Sequence, residues 1–339
     1  MTKEQKFLVG ALTGAAAALA GSRALRRRHA IDFHGRVVVI TGGSRGLGLV
    51  MARQLAEEGA RLCLLARDGE ELARAKSQLP ESAEVMTVSC DIRKQDDVES
   101  AMAQVVERWT AVDVLINNAG VIQVGPLQHM TLADFENAMA THFWGPLYLM
   151  MALVPVMRRR GFGRIVNIAS IGGKVAVPHM APYCTSKFAL VGLSDSVRSE
   201  LDQYGIRVTT VCPGLMRTGS PVNADIKGRH EAEYAWFAIS DATPGLSTSA
   251  EHAAGRIIEA CRHGDAELTI TLPAQIAVVL NNAMPSLMAR AMALANRLLP
   301  DPTDASGDRN QRGRESESRW APSVATALSV RAAVANNEL

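Results

Sequence analysis

The chain has 339 residues, 47% of them hydrophobic, which suffices for one large core with appendages. A formal net charge of +2 argues against a nucleic-acid binder, but the charge is uneven: residues 1–30 carry six Lys/Arg and one Glu (+5), and residues 301–339 carry five Arg and six acids (−1). A basic excess confined to the N-terminal segment points to a membrane surface instead.

That segment holds an uncharged run rich in Ala and Gly, residues 7–21, closed by Arg23 and Arg26-Arg27-Arg28. It is short and only mildly apolar for a membrane span. Membrane association is the preferred reading; a surface helix and a cleaved signal are the alternatives. An anchored chain would keep everything after the Arg cluster on the cytoplasmic side. The five cysteines (Cys63, Cys90, Cys184, Cys212 and Cys261) are widely spaced with no Cys-x-x-Cys pair. They read as buried thiols in a reducing compartment, and no metal is called for.

Arg36-Val37-Val38-Val39-Ile40-Thr41 is a continuous β-branched run, as a strand buried on both faces requires. It leads into Gly42-Gly43-Ser44-Arg45-Gly46-Leu47-Gly48, followed by Leu49, Ala52, Leu55 and Ala56 at helical spacing and a stop at Gly59. Strand, glycine turn and helix in that order form a dinucleotide-binding signature. Gly42 permits the turn, Gly46 lets backbone approach a pyrophosphate, and Gly48 allows close helix–strand packing; the pyrophosphate would sit on the helix N-terminus.

The next strand, residues 61–66, ends at Arg67-Asp68. Arg67 together with Arg45 could grip a 2′-phosphate, favouring NADP(H), while Asp68 keeps NAD(H) as the minority reading. A helix over 69–79, a strand over 84–89, Asp91 (a candidate for the adenine amino group), a helix over 95–109 and a strand over 112–116 follow, then Asn117-Asn118-Ala119-Gly120. The alternation predicts a Rossmann-like α/β fold: a doubly wound parallel sheet of about seven strands with helices on both faces.

A second constellation follows the strand-like residues 164–169. Ser170 stands at its end, and Tyr183-x-x-x-Lys187 puts a phenol and an ammonium on one helix face. The ammonium should favour the phenolate and bring the phenol's pKa down towards neutral.

Assembled, these motifs resemble the short-chain dehydrogenase/reductase family in its compact single-domain branch. The matching residues are Thr41 to Gly48, Asp91, Asn117-Asn118-Ala119-Gly120, Ser170, Tyr183-x-x-x-Lys187 and Pro213-Gly214-x-x-x-Thr218, in family order over roughly residues 33–272. The resemblance implies that Tyr183 is the general acid or base, with Lys187 lowering its pKa and holding the nicotinamide ribose. Ser170 would orient the substrate oxygen, Asn117 support the cofactor side, and Thr218 meet the carboxamide. One departure stands out: His142, in His142-Phe143-Trp144-Gly145, occupies the place of the family's usual Asn. The resemblance implies that this Asn holds a water linking the lysine to solvent for proton relay; an imidazole could do the same, or simply pack.

The helix from Tyr183 to about Tyr204 presents Leu190, Leu193, Val197 and Leu201 on one face, which in such a family commonly meets a second copy, as homodimer or homotetramer; an intramolecular role is the alternative. Residues 219–247 look irregular and lid-like, with Met180, Met216, Trp236 and Phe237 as a candidate apolar substrate pocket. After a helix over 250–263 and a strand over 267–272, an apolar extension (273–300) is interrupted by Pro285, and 301–339 reads as a disordered tail. Two apolar appendages suggest a lipophilic substrate met near a bilayer. The reading is an NADP(H)-dependent carbonyl–alcohol oxidoreductase of the cytoplasmic side; the rival is a sensor or scaffold that binds the nucleotide without the reaction.

Overall fold

The structure, a computed structural model, describes Arg26 and residues 28–339; the apolar run of residues 7–21 falls outside them. Seven strands make the central sheet: β1 (Val37–Thr41), β2 (Arg61–Ala66), β3 (Val85–Ser89), β4 (Val114–Asn117), β5 (Gly163–Ile168), β6 (Ile206–Pro213) and β7 (Glu267–Ile270). Their order is β3-β2-β1-β4-β5-β6-β7 and every pairing is parallel.

Helices join consecutive strands: α1 (Gly46–Glu57), α2 (Gly69–Ser77), α3 (Gln95–Trp109), α4 (Leu132–Met139), α5 (Gly145–Arg160), α6 (Ala181–Asp202), α7 (His230–Ala242) and α8 (Ala250–His263). The side-chain alternation of β1 sorts them into two layers. Val38 and Ile40 point to one face, against Leu49 and Leu55 of α1 and Ala253 and Ile257 of α8. Val37 and Val39 point to the other, against Val98 and Val105 of α3 and Leu149 and Leu153 of α5. Both faces are therefore apolar, which explains the unbroken β-branched run. The stretch Leu132–Arg160 has the length and hydropathy of a membrane span, yet it contains α5, whose inner face belongs to this core.

Residues 219–247 and 301–339 depart from expectation, while the apolar extension is helical as expected. Residues 219–247 are not irregular: α7 crosses them, burying Tyr234, Phe237, Ala238 and Asp241 on one face, a helical stripe that the scattered charges of the segment conceal. The apolar extension forms α9 (Leu272–Ala283) and α10 (Pro285–Asn296), with Pro285 starting the second helix, where a missing N–H is harmless. Leu272, Val279, Leu287 and Leu294 on these helices, and Leu298 just after them, are exposed. The segment 301–339, expected to lack structure, pairs Gln311–Arg312 with Asp225–Ile226 and ends in α11 (Ala327–Ala335). Its buried side chains are mostly small, among them Ala321, Ser329 and Ala333, so no hydrophobic periodicity announces them.

Candidate active site

The strand order reverses between β1 and β4, and a cleft of about 1220 Å³ opens at that end of the sheet. Gly42, Arg45, Arg67, Asn118, Tyr183 and Lys187 all line it. Gly42 (φ +62°) and Gly46 (φ +54°) take the left-handed conformations the turn needs. A Cβ on Gly48 would run into the Gly42 carbonyl oxygen, so only glycine lets α1 start this close to β1. Ser44 and Leu47 complete the turn, with Ser44 Oγ donating to Glu71 at 3.0 Å.

The turn is held from the far side by Asn118, whose Nδ2 donates to Thr41 O at 3.0 Å and Gly42 O at 3.2 Å. Thr41 Oγ1 accepts the backbone N–H groups of Asn118 and Ala119. Asn117, assigned to the cofactor side from sequence, faces away: its Nδ2 donates to Asn167 Oδ1 at 2.8 Å in a buried network that continues to Ser194. Because side chains alternate along a strand, the residue just past the end of β4 reaches the cleft and Asn117 does not. Ala119 and Gly120 do line it.

At the adenosine end, Asp68 is committed to capping α2, accepting from the N–H groups of Glu70 and Glu71 at 2.8 and 3.1 Å. Arg67 is exposed to the cleft and makes no ion pair among the described residues, whereas Arg45 lies between Glu71 (3.6 Å) and Glu338 (3.5 Å). Asp91 grips Arg93 through both oxygens, and that hydrogen-bonded guanidinium holds its carboxyl below the usual range. The glycine turn and the unpaired Arg67 fit a dinucleotide, which would have Gly46 and Leu47 at its phosphates and Arg67 beside its adenosine ribose.

At the reacting end, Ser170 caps a short 3₁₀ turn, accepting the Gly172 N–H at 3.0 Å, and is hydrogen-bonded to Tyr183. Lys187 is 4% exposed; its Nζ lies 5.7 Å from the Tyr183 ring centre and donates to Ile168 O at 2.8 Å. Burial drives Lys187 down to about 7. Burial also pushes Tyr183 up to about 12 despite the Ser170 hydrogen bond, so the expectation of a lowered phenol pKa is reversed. Desolvation opposes the charged form of either group, and at Tyr183 it outweighs the Ser170 hydrogen bond.

His142 sits in a π-helical turn, Ala140–Trp144, joining α4 to α5. Its Nε2 accepts the Val121 N–H at 3.1 Å, so Nδ1 carries the proton and donates to Ser186 Oγ at 2.8 Å; Ser186 in turn donates to Tyr183 O at 2.9 Å. Burial, then Lys187, keeps the imidazole well below its ordinary pKa. With both nitrogens engaged, His142 clamps the loop after Gly120 to the start of α6, and its ring meets Tyr183 edge-on at 5.5 Å. Both ring nitrogens thus make positioning contacts.

Thr218 lines the cleft and shares a 2.6 Å hydrogen bond with Ser220, while Pro213 and Gly214 end β6, with the Gly214 N–H bonded to Ile270 O. Of the proposed substrate pocket only Met216 lines the cleft. Phe237, turned inward by α7, is buried with Met180 at the start of α6 in an apolar cluster, and Trp236 packs on it. The sequence reading missed the pair His179–Glu233, 2.8 Å apart with Glu233 fully buried, which Trp236 Nε1 joins at 2.7 Å. It fastens the lid helix to the loop between Ser170 and Tyr183; an acid amid aromatics in the lid was its only sequence signal.

Leu193, Val197 and Leu201 pack partly buried against the core and Leu190 is buried, so that stripe serves the chain's own interior. All five cysteines are buried and unpaired.

Comparison with known proteins agrees with this geometry. A family model described as short chain dehydrogenase matches residues 36–227. The zebrafish (Danio rerio) dehydrogenase/reductase SDR family member 7B is 34% identical over 277 residues, 79% of this chain and 87% of that protein. Ketoacyl reductase HetN of Nostoc is 34% identical over 57% of this chain and 68% of its own. Among solved structures, a short-chain dehydrogenase from Streptomyces avermitilis superposes with TM-score 0.67 at 26% identity, covering 78% of this chain and 98% of its own. A metagenomic short-chain oxidoreductase in complex with NADP gives TM-score 0.52 at 37% identity over 54% and 84%.

Proposed function

This chain belongs to the short-chain dehydrogenase/reductase family, oxidoreductases acting on CH–OH and C=O groups, and within it we propose an NADP(H)-dependent enzyme for a hydrophobic, lipid-like carbonyl or alcohol. The observation that carries this reading is that Tyr183, hydrogen-bonded to Ser170, and Lys187 open on the same cleft as the glycine turn.

A bound nicotinamide dinucleotide would supply or accept the hydride. The protein supplies position and a proton. Tyr183, fully protonated at neutral pH, is the proton donor to a carbonyl oxygen in the reducing direction. Ser170 orients that oxygen. Lys187, with its Nζ 5.7 Å from the phenol ring centre, steadies in its ammonium form the negative charge left on Tyr183 as the proton leaves. His142 keeps the loop after Gly120 and the start of α6 in register.

NADP(H) is favoured by Arg67, an uncommitted guanidinium facing the cleft, and by the diversion of Asp68 into a helix cap. A lipophilic substrate is favoured by the exposed apolar faces of α9 and α10, close to the loop after Ser170 through Asn281 Nδ2 and Lys174 O at 3.1 Å. The same faces, with residues 7–21, support attachment to the cytoplasmic face of a membrane. Trp144, Met151 and Phe188, exposed on and beside α5 and α6, support a homodimer or homotetramer.

The test is oxidation of NADPH and of NADH by purified protein across carbonyls from small sugars to long-chain ketones and aldehydes. Turnover with NADPH on the lipophilic members is expected, and Tyr183→Phe should lower it by about 10²–10⁴-fold while NADPH still binds. Undiminished turnover by that variant would remove the assignment.

A further inference from the structure

Asn336, Asn337 and Glu338 lie on the glycine turn. The Asn336 carbonyl accepts the Gly46 N–H at 2.8 Å, one of the free N–H groups at the start of α1. Asn337 Nδ2 donates to Ser44 O at 2.9 Å. Glu338, 6% exposed, places its carboxylate 3.5 Å from Arg45 Nε and accepts from Asn223 Nδ2 at 2.7 Å. A Cβ on Gly46 would strike Glu338 Oε1.

The seat behind these contacts is built. Arg53 donates to the carbonyl of Ala335 at 2.7 Å and to Asn336 Oδ1 at 3.2 Å, and Ser329 Oγ donates to buried Asp241 at 3.2 Å. Ala333 packs so closely on Gly219 (φ +97°) that a side chain there would overlap its Cα. Gly313 approaches the Pro221 carbonyl in the same way. Glycines at these contacts let the tail lie flush against the lid.

A carboxylate held beside an arginine at a helix N-terminus offers what a phosphate offers: negative charge and acceptor oxygens. We propose that the C-terminal segment 336–339 is an internal competitor for the dinucleotide phosphate site, with Glu338 as its anion, so that NADP(H) binds only when the tail leaves. This rests on the cofactor reading above. Release would also free Arg45 to act with Arg67. A tail docked nine-tenths of the time weakens apparent affinity about tenfold.

The test uses the full-length protein. NADPH affinity is measured by titration calorimetry for the parent, for Glu338→Ala, and for Ala333→Trp, which unseats α11 from a position away from the phosphates. Hydrogen–deuterium exchange of residues 327–339 is followed with and without saturating NADPH. Both variants should bind NADPH about tenfold more tightly, and NADPH should speed exchange in the parent's tail. Equal affinities with tail exchange indifferent to NADPH would overturn the competitor while leaving the cofactor site standing. Absence of NADPH binding in parent and variants alike would overturn both readings. Binding by the variants alone would support both.

Discussion

Lys187→Met should make the protein more stable while abolishing turnover. The ammonium is buried and its pKa falls from 10.5 to about 7, which at ~1.4 kcal/mol per unit is a penalty of about 5 kcal/mol on the folded state. Between those two values the unfolded chain binds the proton and the folded chain does not, so stability rises with pH across that window. The penalty is full below about pH 7 and fades towards 10.5. Methionine keeps the volume and removes the charge, but leaves the Ile168 carbonyl without its 2.8 Å donor, a loss of about 1–3 kcal/mol. The net gain is ~2–4 kcal/mol at pH 7, or roughly 4–8 °C in Tm at about 2 °C per kcal/mol. Thermal unfolding of parent and variant at pH 7.0, 8.5 and 9.5 measures it. A variant less stable than the parent at pH 7, or an advantage that stays constant with pH, would refute the reasoning.

Three other substitutions test separate parts of the site. Gly48→Ala forces a methyl against the Gly42 carbonyl and should cost about 1–3 kcal/mol and weaken dinucleotide binding, whereas Gly69→Ala, with open space at its Cβ, should stabilise by about 0.4–1 kcal/mol. Paired thermal melts compare them; similar melting temperatures would contradict the packing argument. Arg67→Ala should weaken NADPH by about 10–150-fold and leave NADH nearly unchanged, read by titration of both nucleotides, given ~1.5–3 kcal/mol for a hydrogen bond to a charged group. His142→Leu leaves the Val121 N–H and Ser186 Oγ without their imidazole partner and should lower stability and kcat. Its pH–rate profile should keep its shape, since a clamp does not titrate; a lost or displaced limb would restore the relay.

Elements with one dominant signal were legible from sequence. The β1 run, the glycine turn and the start of α3 at Gln95 depend on local residues, and the structure places them as read. Tyr183 and Lys187 share the cleft because four residues on a helix fix their face. What escaped reading depends on distant partners. Asn118 rather than Asn117 faces the glycine turn because β4 ends where it does, and Tyr183 is raised rather than lowered because burial is a property of the whole fold. The tail escaped for a third reason: its anchors are alanine, serine and asparagine, whose contacts come from close backbone approach rather than from apolar area.

The wide turn at Ala140–Trp144 amounts to one residue inserted into an otherwise continuous rod from Leu132 to Arg160. Each α-helical residue advances the face by about 100°, so that insertion sets the azimuth of everything on one side of it relative to the other. The α5 stripe that meets α3 and the α4 stripe that meets α6 are thereby phased independently, although one unbroken rod carries both. Excising a single residue there would leave composition and hydropathy almost untouched, yet turn either the core seam or the imidazole out of place. The chain's tolerance of length changes should thus be lowest at this turn, just ahead of Gly145 and Pro146.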